Sequence, residues 1–89
     1  MVRAHLSISG LVQGVCFRAE AKYRADGLGL CGWVKNSPDG KVEAVFEGDR
    51  PSVEKMIQWC TKGPAGAIVQ DVAVEWQGYK GEYKEFYIK

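Results

Sequence analysis

The sequence is poor in the residues that announce metal centres and disulfide frameworks: it has one histidine, His5, and three cysteines, Cys16, Cys31 and Cys60, with no Cys-x-x-Cys pair. An odd number of widely spaced cysteines excludes a complete disulfide framework, and no zinc-ligand spacing is present. No metal is therefore expected, and a reducing, cytoplasmic compartment is. Long apolar runs are also missing. The longest is three residues, as in Ala44-Val45-Phe46, where a membrane-spanning helix needs about 20 and a secretory leader about 7 or more. Neither a span nor a leader is expected. Charge of one sign is missing too, since twelve Lys and Arg stand against eleven Asp and Glu for a net +1. No basic field points to nucleic acid. Low-complexity tracts and internal repeats are likewise absent.

What is present is the composition of a folded globule, 46% apolar and 26% charged over 89 residues, which supports one core and hence one domain over residues 1–89. Val2, Ala4, Leu6 and Ile8 alternate with Arg3, His5, Ser7 and Ser9, the period of a half-buried strand. Gly10 to Phe17 reads as a loop, and Ala21, Ala25 and Leu28 then share one face of a helix that ends near Gly27 and Gly29. Two strands flank the turn Pro38-Asp39-Gly40, the second with Val42, Ala44 and Phe46 on one face. Val53, Met56, Ile57 and Cys60 mark a second helix, with Pro51 in its first turn and Gly63-Pro64 closing it. Val72, Val74 and Trp76 alternate in a fourth strand, and Phe86 and Ile88 suggest a short last one.

The hairpin makes strands two and three antiparallel, and each helical crossover returns the chain parallel to the strand before it. The predicted class is therefore α+β: a ferredoxin-like βαββαβ sandwich, an antiparallel sheet with two helices on one face and a short C-terminal strand. The other sheet face, with Arg3, His5, Ser7 and Ser9, is expected to be left largely to solvent.

This architecture carries many functions, so a site must be argued from residues. Gly10 to Arg18 runs from the end of strand one into helix one, where successive amides and the positive end of a helix dipole converge on an anion. Gly14 gives the loop access to positive φ. Arg18 is informative because a cation in the first turn opposes the dipole by about 0.3–1 kcal/mol, a cost that a shared bound phosphate offsets. Taken alone, Arg18 also fits a solvated arginine. Asn36, just before Ser37-Pro38-Asp39-Gly40, taken alone is more often a turn former; it also fits an uncharged amide holding a water for attack on phosphorus. Cys16 reads as a small, partly buried side chain within the loop, Cys31 and Cys60 as core, and His5 as a surface residue with no partner for general-base work. Trp33, Trp59 and Trp76 read as packing.

Other motifs fail on inspection. Val15 and Cys16 follow Gly14 where a Walker loop requires its own pattern. Lys22 and Ser37 stand where a cysteine phosphatase built on Cys16 or Cys31 needs its arginine. The strand Lys41 to Glu47 lacks the aromatic pattern of an RNA-recognition sheet, and the first loop has one cysteine where a metal chaperone needs two.

The segments Gly10 with Val12-Gln13-Gly14-Val15-x-Phe17-Arg18, Gly29-Leu30-x-Gly32-Trp33-Val34-x-Asn36 with Asp39-Gly40-x-Val42-Glu43, and Gly63-Pro64 with Ala67, Val69 and Val72 together resemble the acylphosphatases, in the family's order and over nearly the whole chain. The resemblance implies hydrolysis of small acyl phosphates to carboxylate and orthophosphate by direct water attack, with no metal or cofactor. It implies Arg18 as the phosphate-binding arginine and Asn36 as the residue that positions the water. The backbone of Gly14, Val15, Cys16 and Phe17 becomes the cradle for the phosphoryl group. A cytoplasmic monomer without nucleic-acid or membrane partners is the expected form. The alternative from another class is a non-catalytic ferredoxin-like anion-binding or regulatory module, which needs the Arg18 loop but has no use for Asn36.

Overall fold

The computed structural model describes residues 1–89. In chain order it comprises β1 (Val2–Leu11), α1 (Phe17–Gly27), β2 (Cys31–Asn36), β3 (Val42–Gly48), α2 (Arg50–Lys62), β4 (Ile68–Gln77) and β5 (Phe86–Ile88). The sheet order is β4-β1-β3-β2-β5. The first four strands pair antiparallel throughout, as the ferredoxin-like topology requires. The fifth adds a parallel pairing, Gly32 to Val34 against Phe86 to Ile88, which makes the complete sheet mixed.

Register sets the core. Ala4, Leu6 and Ile8 pair with Phe46, Ala44 and Val42, and because side chains alternate along a strand, these apolar rows share the face that both helices cover. From α1 come Phe17, Ala21 and Ala25, and from α2 Val53, Met56 and Cys60, all within one buried cluster with those strand residues. Each fully buried Phe, Leu, Ile or Val contributes about 1.5–3 kcal/mol relative to exposure. Phe86 anchors the last strand by stacking on Phe46, with ring centroids 5.4 Å apart.

The opposite face departs from expectation, and the topology explains why. β4 and β5 lie at the two outer edges of the sheet, so the connection between them must cross a face, and the helices already occupy one. The connection therefore covers the other. The Lys80 N–H donates to Glu47 (2.9 Å), Arg3 donates to Glu47 (3.2 Å) and to Glu82 (3.4 Å), and the Trp33 indole donates to the Tyr83 hydroxyl (3.0 Å). Arg3 is consequently only 7% exposed and Glu47 2%. Burial alone would lower the Arg3 pKa, but its bonds to Glu47 and Tyr83 outweigh that and raise it.

Candidate active site

The site is built where β1 gives way to α1. At Ser9/Gly10 the pairing with β4 shifts register. Gly10 adopts φ +123, and a Cβ there would lie 2.1 Å from the Ile68 carbonyl oxygen, so this bend needs glycine. Val12 is buried and fixes the start of the loop in the core. Gly14 turns the chain again at φ +76 with open space around it, so here glycine is needed for conformation rather than for room.

Helix α1 starts without a cap. Cys16 occupies the N-cap position in the left-handed region, φ 64 and ψ 24, and its side chain caps nothing. That conformation costs a non-glycine residue about 1–2 kcal/mol. The Glu20 N–H reaches the Cys16 carbonyl (3.1 Å), but the amides from Gly14 to Ala19 have no backbone acceptor. Cys16 is exposed rather than partly buried, because the left-handed turn lifts it off the surface, and Cys31 is only half-buried near the sheet edge where the short β5 pairs. Cys60 is buried, and burial pushes its thiol pKa well up.

Arg18, half-buried in the first turn, stands apart from the other arginines. Arg3 is bonded to Glu47, Arg24 lies over the Trp59 ring at 5.2 Å, and Arg50 is paired with Glu54 and lies over Trp76 at 4.4 Å. Arg18 alone has no ion pair and no aromatic partner. It borders a cleft of about 400 Å³ that also takes in Gly14 and Cys16, with Val12 and Phe17 beneath and Asn36 and Ile88 across. The cleft thus joins Arg18 and Asn36, which lie on different elements. Of the remaining loop residues named from sequence, Val15 packs against the core and the Phe17 side chain is buried, so each is available to a ligand through its amide only. Two larger grooves, of about 630 and 640 Å³, lie along α2. The first is lined by Arg24, which lies over Trp59, and the second by no arginine.

Sequence reasoning missed two long-range contacts. The Gln13 carboxamide donates to the Ser37 carbonyl (2.8 Å) and to the Lys41 carbonyl (2.9 Å). On the far face, His5 Nε2 donates to Glu43 (2.6 Å), with Lys35 3.6 Å from the same carboxylate. The bond from His5, reinforced by Lys35 and opposed by burial, holds the Glu43 carboxyl below its ordinary range. His5 therefore has a partner, but one outside the cleft. Nowhere do three or more His, Cys, Asp or Glu side chains converge to hold a metal ion.

Comparison with known proteins adds a further finding. A family model for acylphosphatases matches residues 4–88. A Pelotomaculum thermopropionicum protein named acylphosphatase is 55% identical over 86 residues, covering 97% of this chain and 94% of its own. One of the same name from Roseiflexus is 53% identical over 88 residues, covering 99% and 95%. The crystal structure of an acylphosphatase from Bacillus subtilis superimposes with a TM-score of 0.96 at 31% identity, covering 100% of this chain and 99% of its own.

Proposed function

The chain belongs to the acylphosphatase family and is a hydrolase of small acyl phosphates, and we propose that the reaction runs in the cleft between the Gly14–Arg18 loop and Asn36. Arg18 and the amides of Gly14, Val15, Cys16 and Phe17 hold the phosphoryl oxygens. The guanidinium fork suits a tetrahedral oxyanion, and amides at a helix start supply fixed dipoles where negative charge gathers during transfer. Asn36 holds a water in line with the bond to be broken. The water oxygen bonds to phosphorus as the bond from phosphorus to the acyl oxygen breaks, the carboxylate leaves with that electron pair, and the proton of the attacking water ends on the phosphate product or in solvent. An acyl phosphate is a mixed anhydride whose leaving group is already a stable anion, so no strong general acid is required. Positioning and charge stabilisation carry the step.

The observation that carries this reading is that Arg18 is the one arginine of four without a protein partner, and it borders a cleft that also holds Asn36. We further propose that residues 1–89 form a single catalytic domain, acting as a monomer in the cytoplasm without metal or cofactor. Three free cysteines suit a reducing compartment, and no helix is long and apolar enough to cross a membrane.

The test is ultraviolet-monitored hydrolysis of benzoyl phosphate by wild type with and without EDTA, and by Asn36→Ala. Turnover that resists EDTA, with kcat falling about 10²-fold in the variant at little change in KM, is the expected result for a misplaced water. A large rise in KM alone would contradict the role given to Asn36. No turnover in folded wild type would leave an anion-binding module, served by the same open amides.

A further inference from the structure

Arg18 and Asn36 border the same cleft, yet β1, which leads into the Arg18 loop, and β2, which carries Asn36, do not pair. β1 and β2 each pair antiparallel with β3, which lies between them. The two outer strands therefore run parallel, and their carboxyl ends, which lead into the phosphate loop and into the β2–β3 turn, emerge at the same end of the sheet. Nothing in the sheet ties one end directly to the other. The loop moreover turns at Gly14, around which there is open space, so sheet pairing alone does not set its distance from Asn36.

One side chain bridges this gap. Gln13, immediately before Gly14, directs its Nε2 to two carbonyls, Ser37 at 2.8 Å and Lys41 at 2.9 Å. A carboxamide nitrogen has two protons, and both are used. The two acceptors are the ends of the turn that begins just after Asn36. The turn does not need Gln13 in order to close, because it has its own bonds, Ser37 N–H to the Lys41 carbonyl (2.8 Å) and Gly40 N–H to the Ser37 carbonyl (3.1 Å). What the Gln13 bonds add is a fixed separation between turn and loop.

We infer that Gln13 is a positioning residue for hydrolysis, its carboxamide clamping the β2–β3 turn to the phosphate loop so that Asn36 meets the phosphoryl group held by Arg18. The inference rests on the catalytic reading of Arg18 and Asn36 given above. Gln13 touches no reacting atom; it acts through Asn36. Phosphate binding needs only the loop and Arg18, so it does not depend on the clamp, whereas in-line attack does.

The experiment is a double-mutant cycle in the folded chain, with Gln13→Met, Asn36→Ala and the pair, read by kcat on benzoyl phosphate and by Ki for inorganic phosphate, below the melting temperature of every variant. Gln13→Met keeps the length of the side chain and removes both donors. It should lower kcat on the order of 10-fold, the scale of a sub-ångström misplacement, and leave Ki within about 2-fold. Added to Asn36→Ala it should cost less than about 2-fold more, since no water-orienting amide remains to be misplaced. A merely structural role would raise Ki along with the fall in kcat and would give the full loss in both backgrounds, and either result overturns the inference. Gln13→Glu supplies a second readout: its carboxylate opposes two carbonyls, and protonation restores one donor. Facing two carbonyls, that carboxyl should titrate above the ordinary glutamate range, so its kcat relative to wild type should recover as pH falls toward that range, and a flat ratio would count against the clamp. If Asn36→Ala keeps wild-type kcat, the proposed function fails first and the inference with it. If Asn36→Ala is slow while Gln13→Met is not, the inference alone is wrong.

Discussion

The two helices of this fold begin in opposite ways. At α2, Asp49 adopts extended backbone, φ −69 and ψ 146, its carboxylate accepts from the Ser52 N–H (3.3 Å) and hydroxyl (3.0 Å), and Pro51 fills the first turn, where an N–H would go unused. The arginine at that end, Arg50, is paired with Glu54 (3.2 Å). At α1, Cys16 is left-handed and caps nothing, the amides from Gly14 to Ala19 have no backbone acceptor, and Arg18 has no partner. Glu20 is the single concession to the dipole there. Both ends connect a strand to a helix on the same face of one sheet, so the topology does not impose the difference. One end is closed by the chain's own groups and the other is left open, as the proposed phosphate site requires. An open helix start costs stability, and it supplies donors that need no rearrangement when charge develops.

The largest effect should come from Arg18→Ala. Loss of an arginine that neutralises a transferring phosphoryl group is expected to lower kcat/KM by about 10³-fold or more. The same change removes a cation from the positive end of a helix, so stability should stay level or rise by about 0.3–1 kcal/mol. Benzoyl phosphate kinetics beside a thermal melt of the same preparation would check both halves. A variant that loses activity and Tm together would mean that Arg18 supports the fold, and the contrast between the helix ends would collapse.

Asp49→Ala makes the reciprocal case. Removing the cap should cost about 1 kcal/mol, a fall in Tm of about 4–8 °C for a domain of this size, with kcat/KM at the wild-type level. Impaired turnover at a temperature where the variant is folded would show that the α2 start is not purely structural.

Cys16→Gly sharpens the comparison at smaller scale. Glycine accepts φ 64 without the cost a cysteine bears, and the gain is partly offset by the freer unfolded chain, so a net stabilisation of a few tenths to about 1 kcal/mol is expected. Denaturant titration would measure it. A destabilised variant would show that the cysteine side chain contributes more at this position than its backbone costs.

The contrast also separates what a sequence shows from what it hides. α2 is written locally: Val53, Met56 and Cys60 face the core at helical spacing, with Pro51 and Gly63 at its ends. Residue types at the α1 start were equally legible, since Gly14 and Arg18 could be named, as could Asn36 at the end of β2, and the cleft brings all three together. What stayed hidden depends on partners far along the chain. The Gln13 amide bonds carbonyls 24 and 28 residues away, and Arg3 is buried because the Gly78–Glu85 connection crosses a face that strand alternation alone assigns to solvent. The left-handed Cys16 belongs to the same class, because no local pattern favours a cysteine there over glycine.

The smallest predicted effect lies away from both helix ends, at Glu43. The bond from His5 and the nearby Lys35 outweigh burial and hold this carboxyl below its ordinary value of 4.5. The unfolded chain then binds a proton at Glu43 more readily than the folded one. The carboxylate's contribution is full above that ordinary value and is lost as pH falls through it toward the lowered one. Glu43→Gln should therefore flatten the acid limb of the stability curve below about pH 5, by less than about 1 kcal/mol for a partly exposed pair. Its kcat/KM at neutral pH should match wild type, because the pair lies on the sheet face opposite the helices. Urea unfolding of both proteins across pH 3 to 7 would decide it: an unchanged acid limb would mean that the His5 bond does not hold in solution, while lost turnover would mean that the far face is coupled to the cleft.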